Sequence, residues 1–152
     1  MFFDELAVGQ VFSIPPVTIT EEAIQAFATA YDPLPVHLDA AYAAATPFGG
    51  IIAPGVMTFM AVWAEFLRSN GWGPNFVAGK NTKMEWFAPV YAGDVLKGEG
   101  RVMDLVRHKP DSGILYLGIE IQNQHGVKVV FDTSELVIRM RPQTGGPASS
   151  RA

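Results

Sequence analysis

A carboxylate and an imidazole stand five residues apart near the start of the chain, in the segment 32–37, which reads DPLPVH. The ordinary pKa of imidazole lies near neutrality, so His37 could move protons at physiological pH. Asp32 could hold the water molecule from which a proton is taken, and general acid–base catalysis of this kind accelerates reactions by about 10²–10⁴. Two prolines stiffen the segment, and His37 has apolar neighbours on both sides, so we expect its surroundings to be partly desolvated.

Both residues also have simple structural explanations. Asp32 precedes Pro33, and an Asp-Pro pair commonly begins a turn, while a buried histidine can simply be hydrogen-bonded in a core. Asp32 also follows a predicted helix, whose negative C-terminal end disfavours a carboxylate unless it has a partner. The other histidines, His108 and His125, lie beside or within predicted turns and are expected to be solvated, and Asp39 is explained as a helix cap.

Gly55 is the first residue of an apolar segment, 55–70, that is predicted to form one long helix. A helix N-terminus presents unpaired N–H groups and a positive pole, and the absence of a side chain leaves the Gly55 N–H open to close approach. A thioester oxygen bound there would be stabilised as negative charge develops on it, and loss of one such donor typically raises a barrier by about 3–4 kcal/mol. A glycine here could equally serve only tight packing of the helix on a sheet.

The composition excludes several other kinds of chemistry. There is no cysteine, and three scattered histidines give no convincing ligand set, so we expect no metal and no cofactor. No glycine-rich phosphate loop is present, and the serines lack the context of a nucleophile elbow. The net charge of −4 argues against a nucleic-acid partner. The longest apolar stretch, 56–63, is far shorter than the roughly 20 residues of a membrane span, and no signal peptide is evident, so we expect a soluble, cytoplasmic protein.

The elements that must position these residues follow from periodicity and turn signals. A strand over 9–14 is interrupted by two prolines and resumes, and apolar spacing then predicts a helix over 20–31 with Thr20 as its N-cap. A short helix is predicted over 40–45, and the helix over 55–70 is apolar on nearly every face, so we expect it to be buried all round. Strands with turn residues between them are predicted over 76–87, 95–108, 114–123 and 127–139.

Long adjacent strands with short turns predict an antiparallel sheet, and the economical packing wraps that sheet around the long helix. The fold class is therefore α+β, with the hot-dog architecture as one domain over 1–140. The tail 141–152 is rich in Pro, Gly and Ser and is expected to be disordered. An open sheet edge, together with the 49% apolar content, favours at least a homodimer.

Two segments carry a resemblance to a known family. The stretch 27–39 (FATAYDPLPVHLD), continued by 44–58 (AATPFGGIIAPGVMT), resembles the MaoC-like dehydratase family, which includes the (R)-specific enoyl-CoA hydratases. The segment 87–94 (FAPVYAGD) is similar to the family's F-x-x-P-V-x-x-G-D pattern. The resemblance implies reversible hydration of a trans-2-enoyl thioester in fatty acid metabolism. Asp32 and His37 would be the catalytic pair, and the Gly55 amide would bind the thioester oxygen.

Two departures from the family's usual motif bear on this interpretation. Active hydratases usually carry an amide residue where this chain has Leu34, and a histidine often stands where it has Pro54. The reaction class tolerates both changes, whereas the acyl chain, and the choice between coenzyme A and an acyl carrier protein, stay open. Two alternatives remain: a non-catalytic acyl-CoA-binding domain, and a hot-dog thioesterase. The thioesterase needs a carboxylate on the long helix, where Glu65 is the one acidic residue and lies near the far end.

Overall fold

The structure is a computed structural model that describes residues 1–144, and this part of the chain contains one sheet of five strands and four helices. The strands are β1 (Val11–Thr18), β2 (Phe76–Trp86), β3 (Val95–Lys109), β4 (Ser112–Gln122) and β5 (Lys128–Arg139). The helices are α1 (Glu21–Tyr31), α2 (Pro35–Leu38), α3 (Ala40–Ala44) and α4 (Gly55–Ser69), and short 3-10 turns occupy Phe3–Glu5 and Gly73–Asn75.

The sheet has the strand order β1-β3-β4-β5-β2, and every neighbouring pair is antiparallel. β3 and β4 form a hairpin in which Lys109 pairs with Ser112, leaving a two-residue turn of Pro110 and Asp111. β1 and β2 are the two edges. α4 lies against one face of this sheet, with β1 as its most extensive contact. The predicted α+β class and hot-dog architecture are confirmed.

The core lies between α4 and the sheet. Phe59, Val62 and Phe66 project from one side of α4 into a cluster of apolar side chains from the inner face of every strand. Gly98 in β3 allows the helix to come close, because a Cβ there would lie 2.6 Å from Val62 Cγ1 and 2.8 Å from Ile14 Cδ1. The long helix is thus held on the sheet by direct backbone-to-side-chain packing.

The opposite side of α4 is open in the single chain. Val56 and Met60 are 45% and 44% exposed, although the segment is apolar on nearly every face. The prediction that this helix is buried all round is therefore wrong for one copy of the chain. The physical reason is that a single sheet covers only one side of a helix, and the neighbouring edge strand β2 is itself largely exposed.

Prolines shape two elements. No helix was predicted over 32–38, but Pro35 begins the short helix α2, where its missing N–H and fixed φ are tolerated. In β1 the pairing with β3 shifts between Ile14 and Val17, at the predicted interruption by Pro15 and Pro16. Thr20 caps α1 by accepting from the Ala23 N–H at 3.1 Å, as its side chain predicted.

The C-terminal segment follows β5 across the N-terminus. The Arg141 N–H donates to Asp4 Oδ1 at 2.9 Å, and its guanidinium contacts the Glu5 carboxylate and lies over the Phe2 ring. The predicted tail otherwise falls largely on residues 145–152, which lie outside the described part of the chain. Within residues 1–144, no helix is long and apolar enough to cross a membrane.

Candidate active site

His37 is buried on α2, with 7% of its surface exposed. Its Nδ1 lies 2.6 Å from the carbonyl oxygen of Ile52. Because a carbonyl oxygen only accepts, Nδ1 must carry the hydrogen, and in the neutral ring the lone pair then lies on Nε2. The backbone therefore sets the tautomer that leaves Nε2 able to accept a proton.

Asp32 ends α1, where its N–H donates to the Ala28 carbonyl at 3.0 Å. Two successive backbone hydrogen bonds then fold the chain back: Leu34 N–H to Asp32 O at 2.8 Å, and His37 N–H to Leu34 O at 3.0 Å. These turns bring Asp32 Oδ2 to 3.3 Å from His37 Nε2. The carboxylate is 37% exposed and so lies toward solvent, while the imidazole lies toward the core.

Gly55 is the first residue of α4, and Pro54 before it supplies no side-chain cap. Its N–H is thus one of the donors that a helix leaves unpaired at its N-terminus. A Cβ on Gly55 would collide with the indole of Trp86, lying 2.6 Å from Cε2 and closer still to Nε1. The packing explanation for this glycine is therefore correct, and it does not compete with a role for the N–H, which leaves the backbone in another direction.

Asp32, His37 and Gly55 line one cavity of about 480 Å³. Its remaining wall is mostly apolar and consists of Phe48, Ile52, Ala53, Val56, Thr58, Trp86, Phe87, Ala88, Pro89 and Val90. A mostly apolar pocket with few convergent polar groups is typical of small-molecule sites. A cavity of about 600 Å³ on the outer face of the sheet contains none of the three predicted residues.

The loop before α4 is held to the loop before β3. The Tyr91 hydroxyl donates to the Phe48 carbonyl at 2.8 Å, and Tyr91 also forms a β-bridge with Ile52. The Ala53 N–H donates to the Val90 carbonyl at 2.7 Å. Tyr91 thereby fixes both the Phe48 side of the cavity and the carbonyl that orients His37. Reasoning from the sequence missed this role, although Tyr91 lies within the FAPVYAGD motif.

A second buried polar cluster lies on the inner face of the sheet, outside this cavity. Asp132 of β5 is fully buried and accepts hydrogen bonds from Thr82 at 2.5 Å and from Ser134 at 2.7 Å. Burial raises the pKa of the Asp132 carboxyl above its ordinary value, and the two hydroxyl donors oppose that shift. This cluster was not predicted from the sequence, because nothing in β5 alone marks Asp132 as inward-facing apart from its alternation with Val130.

The other acidic and imidazole side chains considered from the sequence do not line this cavity. Glu65 lies near the C-terminal end of α4 and pairs with Arg68 at 2.5 Å, away from the cavity lining. His125 lies in an exposed turn and His108 is exposed near the end of β3, both as predicted. Within residues 1–144 no group of three or more His, Asp or Glu side chains comes close enough together to hold a metal ion.

Comparison with known proteins agrees with this fold. The family model described as MaoC like domain matches residues 5–115, most of the chain, so the chain belongs to the MaoC-like family, which includes hydratases and dehydratases. The predicted resemblance is confirmed.

Individual relatives cover nearly the whole chain. An uncharacterized protein of Bacillus subtilis (strain 168), YdeM, is 32% identical over 130 residues, which are 85% of this chain and 92% of that protein. The crystal structure of a MaoC-like dehydratase from Rhodospirillum rubrum superposes with a TM-score of 0.86 at 31% identity, covering 93% of this chain and 99% of the other. The R-hydratase PhaJ1 from Pseudomonas aeruginosa gives a TM-score of 0.76 at 29% identity, covering 99% and 96%.

Proposed function

We propose that the chain is a hydro-lyase that reversibly adds water to a trans-2-enoyl thioester, with Asp32 and His37 as the catalytic pair. The observation that carries this proposal is that Asp32, His37 and Gly55 line one mostly apolar cavity, with Asp32 Oδ2 3.3 Å from His37 Nε2. A carbon–carbon double bond conjugated to a thioester needs both a base for water and a donor for the thioester oxygen. The cavity offers both, with an apolar wall for the acyl chain.

The tautomer of His37 explains how water would be held. With hydrogen on Nδ1, both Nε2 and Asp32 Oδ2 are acceptors, and two acceptors in contact need a donor between or beside them. A water molecule can donate one hydrogen to each. As its oxygen bonds to C3, its proton passes to His37 Nε2, and electrons move from the double bond to the thioester oxygen.

The reaction is completed at the same site. The Gly55 N–H stabilises the negative charge on the thioester oxygen, which reaches its maximum in the enolate-like state. His37 then returns a proton to C2, the carbonyl reforms, and the ring is neutral again for the next cycle. The sum is addition of one water molecule across C2 and C3, and the reverse sequence eliminates it.

The relatives support a hydratase more than either alternative. A MaoC-like dehydratase and an R-hydratase at 31% and 29% identity share the fold over nearly the whole chain. A thioesterase on this fold needs a carboxylate on α4, and the one there, Glu65, pairs with Arg68 away from the cavity. A non-catalytic acyl-CoA-binding domain would also use this cavity, but it would require that Asp32 and His37 be inactive. Leu34, which replaces the family's amide, is 52% exposed, so its side chain is not needed to hold the turn.

A spectrophotometric assay tests the proposal directly. The protein is incubated with crotonyl-CoA, longer and branched enoyl-CoAs and the same acyl groups on an acyl carrier protein. Loss of enoyl absorbance and release of free thiol are followed in parallel. We expect hydration without thiol release. Thiol release without hydration would favour the thioesterase, and tight binding with neither reaction would favour the binding-only domain.

We also propose that the working form is a homodimer built on the open side of α4 and the edge strand β2. A single chain leaves Met60 of α4 exposed in a shallow groove that residues of the edge strand β2 also line, and unpaired strand edges favour association. Light scattering should give twice the 16.5 kDa chain mass. Met60→Glu should lower that mass, whereas Val8→Glu, a charge placed at a 62% exposed valine elsewhere, should not. A wild-type mass of one chain would contradict the dimer.

A further inference from the structure

The indole of Trp86 occupies the space that a side chain at Gly55 would fill. A Cβ at Gly55 would lie 2.6 Å from Trp86 Cε2, 3.0 Å from Cδ1 and closest to Nε1. The nitrogen-bearing edge of the ring is therefore the part in contact with the helix N-terminus. The indole nitrogen and the first residue of α4 consequently lie at the same end of the cavity.

The backbone of Trp86 is firmly placed. Trp86 pairs with Val130 at the end of β2, and the next residue continues the pairing through a hydrogen bond from Phe87 N–H to Val129 O at 2.9 Å. The side chain, in contrast, is 52% exposed and lines the cavity that holds His37. The half-exposed indole can therefore donate its N–H to a molecule bound in the cavity.

The reaction has use for a donor at this position. Negative charge that develops on a thioester oxygen is best stabilised by two preorganised donors, and an oxygen has lone pairs for both. The backbone of this site supplies one donor, the Gly55 N–H. A neutral indole N–H adds a second without introducing a charge that would need its own partner in an apolar cavity.

We infer that Trp86 is a further catalytic residue, whose Nε1–H donates to the thioester oxygen beside the Gly55 N–H. This inference rests on the proposed function, since it names a second contact to the same oxygen. It also explains why the glycine and the tryptophan occur together: the glycine makes room for the ring that completes the donor pair. The competing explanation is that Trp86 only packs against α4.

An isosteric replacement separates the two explanations. Benzothienylalanine incorporated at position 86 keeps the two-ring shape and replaces the N–H with sulfur, and Trp86→Phe is a simpler variant without the donor. If Trp86 donates to the oxygen, kcat of both should fall by about 10–100-fold while KM changes little. If Trp86 only packs, the isostere should keep wild-type kcat. Trp63→Phe, on the middle of α4 away from the cavity, is the matched control and should keep kcat.

A spectroscopic measurement makes the inference independent of turnover. Butyryl-CoA carrying ¹³C at the thioester carbonyl is bound to each protein, and the carbonyl stretch is read by infrared difference spectroscopy. Two donors should lower the wild-type frequency, and the isostere should recover part of that shift. An equal frequency in both proteins, or an unchanged kcat in the isostere, would overturn the role of Trp86 while hydration by wild type still stood. If wild type failed to hydrate enoyl thioesters but its carbonyl frequency still depended on the indole N–H, the proposed reaction would be wrong and the contact between Trp86 and the thioester oxygen would stand.

Discussion

The Nδ1 of His37 lies 2.6 Å from the carbonyl oxygen of Ile52, and this one contact determines which nitrogen of the ring can act as a base. Ile52 makes this contact through its backbone carbonyl alone. Ile52 is itself held by Tyr91 through a β-bridge, so the ring orientation depends on the loop before β3 as well as on the loop before α4. The base is thus positioned by backbone geometry.

Removing the base without removing its anchor gives the first prediction. His37→Asn places an amide N–H near the position of Nδ1, so the bond to Ile52 can persist while Nε2 is lost. Asp32→Asn removes the charge and keeps the shape. We expect each variant to lower kcat by about 10²–10⁴ with folding retained, as measured by initial rates of hydration and by circular dichroism. His125→Asn, in an exposed turn, is the control, and equal activity in all four proteins would contradict the assignment of the pair.

Loosening the loop gives the second prediction. Tyr91→Phe removes the 2.8 Å hydrogen bond to the Phe48 carbonyl, which is worth about 0.5–1.5 kcal/mol. Because Phe48 lines the cavity, we expect KM for an enoyl thioester to rise by about 2–10-fold, with a smaller change in kcat. Tyr42→Phe removes a hydroxyl from a tyrosine that is 51% exposed on α3, and should behave as wild type. A Tyr91→Phe protein with unchanged KM would mean that the loop is held without this bond.

The parts of the site that the sequence predicts are those close together along the chain. Asp32 and His37 are joined by two local turns, and Gly55 begins a helix whose apolar pattern marks its start. The contact between Gly55 and Trp86 depends instead on how β2 pairs with β5, which no local pattern specifies.

The prediction about the burial of α4 was wrong for a related reason. An apolar face of a helix indicates a surface that is buried in the working protein, and either the same chain or a second chain can bury it. The exposed Met60 is therefore consistent with the sequence pattern once a second copy is considered. No helix was predicted to begin at Pro35, because a proline at the first position of a helix can be recognised only once that start is known.

The buried carboxyl of Asp132 gives the third prediction, which concerns pH. Its pKa is raised above the ordinary 3.8, so in the window above that value the folded chain holds a proton that the unfolded chain has released. Folded-state stability contributed by this group is therefore present at low pH and is lost as pH rises through the folded pKa. Each unit between the two pKa values corresponds to about 1.4 kcal/mol.

Asp132→Asn removes this titration and keeps the size of the side chain, and the Thr82 and Ser134 hydroxyls can reorient to accept from the amide. We therefore expect the stability of Asp132→Asn relative to wild type to increase as pH rises from about 4 toward neutrality. Urea unfolding across that range measures it. Asp104→Asn, at an exposed position of β3, is the control for loss of one negative charge. Parallel pH profiles for wild type and Asp132→Asn would contradict the raised pKa.

The fourth prediction tests the close approach of α4 to the sheet. A Cβ at Gly98 would lie 2.6 Å from Val62 Cγ1, closer than real Cβ atoms approach, so in Gly98→Ala either the Val62 side chain or α4 itself must shift. We expect a loss of about 1–3 kcal/mol in the free energy of unfolding, measured by urea denaturation.

Gly50→Ala is the matched control, because a Cβ there meets no atom within 4 Å and an alanine restricts the unfolded chain. Its stability should therefore stay within about 0.5 kcal/mol of wild type or rise slightly. The difference between the two alanine variants isolates the helix–sheet contact from the general effect of replacing glycine. If Gly98→Ala were as stable as Gly50→Ala, the contact of Val62 with β3 would adjust without cost, which would contradict tight packing of α4 on the sheet at this point.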